Sequence, residues 1–182
     1  MKRFLVLMTA AVVFLSVACA AAAETFSTSY FSLDLPDGWE IDTTDLEEEE
    51  NAKTLGLFFG KTSDGFLVGN AFLVNNEGWK DVSLWNSSEE ELKEYADSLL
   101  EDFADTNPEL IGTVLAMDGK IPLVIIRGTD KDGEFVYADT MTNGVSIEFE
   151  FYVSDDEGDK QLPLTDEHIE QIKTILTSLK PA

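Results

Sequence analysis

The chain has 182 residues, with 12 Lys and Arg against 36 Asp and Glu, one His and one Cys, for a formal charge of −24. Its 44% hydrophobic and 10% aromatic content supplies a packed core and argues against wholesale disorder, and the length fits one domain. So acidic a surface excludes unaided binding to nucleic acid or to an anionic membrane, both of which need a basic footprint.

Lys2 and Arg3 precede an uncharged apolar run from Phe4 to Ala18, and small residues end at Ala21-Ala22-Ala23 before Glu24. This is the layout of a secretory signal peptide with an A-x-A cleavage site, and the run falls short of the roughly 20 residues of a membrane span. Cleavage after Ala23 removes two of the 12 basic residues, so the exported domain, 24–182, carries −26. Its expected location is periplasmic or extracellular. Cys19 is discarded in this reading. In the alternative it is the lipidated N-terminal cysteine of an envelope lipoprotein, with Ser16-Val17-Ala18 as a poor lipobox. Neither reading permits an intramolecular disulfide, so the core must hold the domain.

Tyr30 to Pro36 reads as an extended segment closed by a Pro36-Asp37-Gly38 turn, and Trp39 to Thr43 as a second short one. Glu47-Glu48-Glu49-Glu50 is a self-repelling run suited to a solvated loop. Thr54 to Lys61 and Phe66 to Asn75 are strand candidates around the turn residues Ser63-Asp64-Gly65. The spacing predicts a helix over Ser88 to Asp105: Ser88 with Glu91 makes a capping box, and Leu92, Tyr95, Ala96, Leu99 and Phe103 form one apolar stripe.

Three hairpin signals follow, Asp118-Gly119, Asp132-Gly133 and Asn143-Gly144, implying a meander of strands 109–117, 120–130, 134–142 and 145–153. In the last strand Val145, Ile147, Phe149, Phe151 and Val153 face one way, and Ser146, Glu148, Glu150 and Tyr152 the other. A second helix opens at Thr165, buries Ile169, Ile172, Ile175, Leu176 and Leu179, carries Lys173 and Lys180 toward its negative end, and stops at Pro181. The fold class is α+β, an antiparallel sheet with helices packed on it.

The opening Tyr30 to Ile41, YFSLDLPDGWEI, and the closing IKTILTSL, Ile172 to Leu179, resemble the PsbP-like and Mog-like superfamily. That resemblance implies an α/β/α sandwich and a non-enzymatic binding or accessory module of the cell envelope, with a protein or small ligand as partner. The matching positions are core and turn residues, so no functional residue is carried over, and fold alone does not settle function.

A two-residue Asn143-Gly144 turn sets Thr142 opposite Val145, Asp139 opposite Glu148 and Tyr137 opposite Glu150. A three-residue Lys131-Asp132-Gly133 loop would add Arg127 to the same face, beside Tyr137. The cluster then reads either as a structural ion network around Arg127 or as a cation site in which Asp139, Glu148 and Glu150 bind Ca²⁺, a hard ion that favours carboxylate oxygens. Asp130 to Glu134 resembles a calcium loop only superficially, because Gly133 falls at the fourth position and Met141 stands where the bidentate Glu belongs. His168, the one imidazole, reads as a residue at the edge of a helix packing face. With so few His and Cys, thiol and multi-His metal catalysis are excluded, while a carboxylate-pair hydrolase remains as the enzymatic alternative. Trp39 reads as core. Trp79 and Trp85 either cover a sheet edge or anchor a partner.

Overall fold

Turns and alternation build two meanders that join edge to edge. The computed structural model describes residues 24–44, 46, 48, 51–75, 77–114 and 121–182. The expected signal peptide with Cys19, most of the Glu47–Glu50 run and the Asp118-Gly119 turn lie outside the described residues. The first meander comprises β3 (Glu40–Asp42), β4 (Ala52–Lys61) and β5 (Phe66–Asn75); the second comprises β6 (Glu109–Val114), β7 (Leu123–Thr129), β8 (Glu134–Thr142) and β9 (Val145–Ser154). β5 pairs with β9 from Phe66↔Ser154 to Asn75↔Val145, giving the antiparallel order β3-β4-β5-β9-β8-β7-β6, with β10 (Gln161–Leu162) added to β9. A smaller sheet orders β1 (Glu24–Ser27), β2 (Phe31–Leu35) and β11 (Lys180–Pro181) as β1-β2-β11.

Period-2 alternation sends successive β7 residues into different cores. Leu123 and Ile125 join the main core with Phe26, Phe31 and Leu33 of the small sheet and Ile169, Ile172, Ile175 and Leu176 of α2 (Asp166–Thr177). Val124 and Ile126 join a second core with Leu92, Ala96 and Leu99 of α1 (Glu89–Asp102). Two helices therefore pack on opposite faces of the large sheet, the α+β architecture expected. The main core is aromatic: Phe31 meets Phe149 at 5.3 Å, and Phe58 meets Phe151 at 5.7 Å. At Gly69 an added Cβ would stand 2.2 Å from the Phe58 ring, so only hydrogen fits where β5 crosses beneath that pair. Trp39 is buried beside Gly60, as expected of a core residue.

The capping box forms as read: Ser88 Oγ accepts from Glu91 N–H, and the Glu91 carboxylate accepts from Ser88 N–H at 2.8 Å, which holds that carboxyl below its ordinary range. α1 ends at Asp102, three residues short of the expected Asp105, and a 3₁₀ turn over Ala104–Thr106 leads to left-handed Asn107. α2 also ends early. Its last carbonyls are capped by Ser178 and Leu179 N–H, and Lys180-Pro181 pairs with Ser32 and Phe31 as β11. Pro181 is thus not the helix stop, and Lys180 pairs with Asp34 at 3.3 Å instead of serving the helix terminus.

Candidate functional site

Asn143 and Gly144 adopt φ of 50° and 79°, as a tight two-residue hairpin turn requires. The resulting register is Thr142↔Val145, Asp139↔Glu148 and Tyr137↔Glu150, so the three expected carboxyls share the α1-side face. Arg127 does not join them. The β7–β8 loop has four residues, because Asp130 leaves the ladder: its Oδ1 accepts from Asp132 and Gly133 N–H, and Thr129 becomes the last residue paired, with Glu134. Arg127 therefore lies opposite Val136, and that one-residue slip turns it to the other face. There its guanidinium donates to Glu134 at 3.0 Å and to the Leu164 carbonyl at 3.2 Å, while Glu134 also accepts from Leu164 N–H at 2.8 Å. This clasp ties the approach to α2 onto the sheet. Concavities of about 430 and 500 Å³ flank it, both lined by Glu109 and Arg127.

Two phenols occupy the role expected of the guanidinium. Tyr95 of α1 donates to Asp139, which is 3% exposed, and Tyr137 donates to Glu148. Burial, then the Asp139 and Glu148 charges, push the Tyr137 phenol well above its usual value. Burial, then Asp130 and Glu148, raise Glu150 to about 7. Burial and then Glu150 raise Tyr152, opposed by its hydrogen bond with Asn70. Among the described residues, no three His, Cys, Asp or Glu side chains are grouped to hold a metal ion. The helical spacing placed Tyr95 on a buried stripe; its hydroxyl as a donor to the sheet was the signal left unread.

Farther across this face the sheet is not covered by α1. Leu57 and Phe59 on β4 and Phe66, Phe72 and Val74 on β5 are half-buried and belong to neither core, with the buried Val68 among them. Phe59 and Phe66 stack edge to face at 6.3 Å, and the Lys61 ammonium lies 4.6 Å from the Phe66 ring centre while pairing with Asp156. Pairing fixes what borders this strip. Glu40 and Asp42 on β3 stand opposite Phe59 and Leu57, and Glu148 and Glu150 on β9 stand opposite Phe72 and Asn70. An apolar strip thus runs along β4 and β5 between two rows of acids.

The two tryptophans part. Trp79 is 40% exposed at the end of a 3₁₀ turn over Glu77–Trp79, whereas Trp85 packs against the main core. His168 is buried: its Nδ1 accepts from Thr165 N–H at 3.2 Å, completing the cap of α2, and Nε2 lies 3.7 Å from Asp64.

No protein-family model matches the chain, and no curated protein does. The chain is similar to the solution structure of cyanobacterial PsbP (CyanoP) from Synechocystis sp. PCC 6803, with 14% identity over 93% of this chain and 98% of that one and a TM-score of 0.48. It is also similar to a crystal structure from Bacteroides thetaiotaomicron VPI-5482, with 14% identity over 88% of this chain and 48% of that one and a TM-score of 0.41.

Proposed function

We propose that this chain is an exported, non-enzymatic binding module of the cell envelope that holds its partner on the β4–β5 face of the large sheet. One observation carries the reading: on that face Leu57, Phe59, Phe66, Phe72 and Val74 are only half-buried and belong to neither core, although the opposite face of the same strands is sealed by the small sheet. Contiguous apolar surface rimmed by polar groups marks interaction sites in soluble proteins. Beside it Asp139 and Glu148 accept hydrogen bonds from Tyr95 and Tyr137, an arrangement that shapes a surface.

Export follows from residues 1–23 read as a signal peptide. Sequencing the isolated protein tests this: a chain beginning at Glu24 supports it, one beginning at a lipid-modified Cys19 makes it a lipoprotein, and one beginning at Met1 refutes processing. For the face itself, a photo-crosslinking amino acid replaces Phe72 in the producing cell, with Glu101 on the solvent side of α1 as the comparison position. An adduct formed from position 72 and not from 101 is the expected result. No adduct from 72, or the same adduct from both, refutes the face as a binding surface.

A further inference from the structure

We propose that the free edge of β6 takes up an extended segment of a partner as one more strand, and that a Lys or Arg of this segment enters the concavity between β6 and α2. This surface is separate from the β4–β5 face and does not rest on it. The large sheet ends in two edges of different kinds. β3 is three residues long and carries Glu40 and Asp42, a short charged edge of the sort that resists added strands. β6 runs for six residues, about 20 Å, and pairs only with β7. No hydrogen bond among the described residues reaches its outer side. Glu109, Leu110 and Thr113 are exposed, Leu110 to 38%. An unpaired edge of this length offers main-chain hydrogen bonds to an added strand, whose alternate side chains are then read by the surfaces on either side.

Pairing with β7 assigns those two sides. Leu110 stands opposite Ile126, which packs beneath α1, and Glu109 stands opposite Arg127, on the α2 side. The register shifts between Leu110 and Gly112, a bulge that keeps Ile111 on the α2 side as well, against the main core. There the concavity of about 430 Å³ is lined by Glu109 and Ile111 from the sheet and by Asp166, Ile169, Glu170 and Lys173 from α2. Its two cations are engaged, Arg127 with Glu134 and Lys173 with Glu170. Glu109 and Asp166 are both exposed and make no side-chain hydrogen bond or ion pair among the described residues. An added strand sends every second side chain to this side. A Lys or Arg there lays its alkyl stem along Ile111 and Ile169 and carries its charge to the two unpaired carboxylates. The residue next to it turns to the α1 side, where exposed Leu110 favours an apolar neighbour. A second copy of this chain does not supply that chemistry, because its β6 offers Glu109 as its one charged residue and no cation.

The full chain is titrated with a labelled eight-residue peptide of Val and Thr with one central Lys. Comparison peptides carry Glu in place of Lys, or keep Lys and have every backbone amide N-methylated. Fluorescence anisotropy measures affinity, and hydrogen exchange followed by NMR reads the β6 amides. The Lys peptide is expected to bind and to slow exchange in β6, while the Glu peptide binds at least about tenfold more weakly and the N-methylated one does not bind. The double variant Glu109→Gln, Asp166→Asn, confined to exposed positions, should weaken the Lys peptide about tenfold, with exchange in β7 and β8 unchanged as the sign of an intact fold. No binding of the Lys peptide up to about 1 mM, binding without slower exchange in β6, or equal binding of the N-methylated peptide overturns strand addition. Equal affinity of the Lys and Glu peptides, or no loss in the double variant, overturns the basic side chain. Slower exchange in β6 on raising the protein concentration alone, with a dimer by sedimentation, makes a second copy the occupant and overturns the proposal. The Phe72 crosslink is read separately, so failure at this edge leaves the β4–β5 face standing.

Discussion

Replacing Glu150 by Gln should make the protein more stable at neutral pH and leave it unchanged in acid. Glu150 sits mid-strand on β9, with Tyr137 and Asn70 across the ladder on either side. Burial, reinforced by Asp130 and Glu148, raises its carboxyl from 4.5 to about 7. A raised carboxyl favours the protonated form in the fold, so its contribution is fully present below pH 4.5 and is lost as pH rises through about 7. At about 1.4 kcal/mol per pH unit the full penalty is about 3 kcal/mol, and partial solvent screening of this half-buried site brings it to about 2 kcal/mol. Urea unfolding followed by tryptophan fluorescence at pH 4, 6 and 8 measures it for both proteins. Every other acid is common to the two, so their difference isolates residue 150. It should be near zero at pH 4 and favour Gln by about 2 kcal/mol at pH 8. A difference constant from pH 4 to 8 refutes the reasoning.

Tyr95→Phe removes a donor from a carboxylate that is 3% exposed; it should cost about 1.5–3 kcal/mol in urea unfolding at pH 7. Arg127→Gln breaks the pair with Glu134 but should leave the Glu150 carboxyl midpoint, followed by ¹³C NMR, where it is. The cluster expected from sequence would instead raise that midpoint on losing its cation. Gly69→Ala drives a Cβ to 2.2 Å from the Phe58 ring and 2.7 Å from Phe151, which should cost about 1–3 kcal/mol, seen as a lower urea midpoint with an unchanged slope. Ser88→Ala removes the α1 cap and should cost about 1 kcal/mol by thermal unfolding.

What could be read beforehand was whatever local chemistry determines. Asn143-Gly144 admits one turn, so the β8–β9 register and the shared face of Asp139, Glu148 and Glu150 followed from four letters of sequence. Ser88 and Glu91 likewise define a helix start without help from the rest of the chain. The Asp130–Gly133 loop was different. Whether Asp130 ends a strand or begins a turn depends on its side chain capturing two N–H groups, and composition gives both options. That single residue moved Arg127 across the sheet. The pairing of β5 with β9, separated by α1 and three strands, has no turn to announce it, so the strip and its two acid borders were hidden until the strand order was known. Lys180-Pro181 escaped for a similar reason: its partners, Ser32 and Phe31, lie at the far end of the chain.

That β5–β9 pairing also has a kinetic meaning. Each meander is built from neighbouring hairpins whose contacts close short loops, so each can form early and by itself. The large sheet comes into being only when the two halves meet along one line from Phe66↔Ser154 to Asn75↔Val145, closing a loop of about 70 residues at the shortest end. The seam is where the chain spends its search time. Side chains along it, Phe151 and Gly69 among them, are the ones whose replacement should slow folding, whereas changes at the Ser88 cap should chiefly speed unfolding. Until the seam closes, β5 and β9 each present a ten-residue edge, so the unjoined halves are the species that a folding chain must protect from its neighbours.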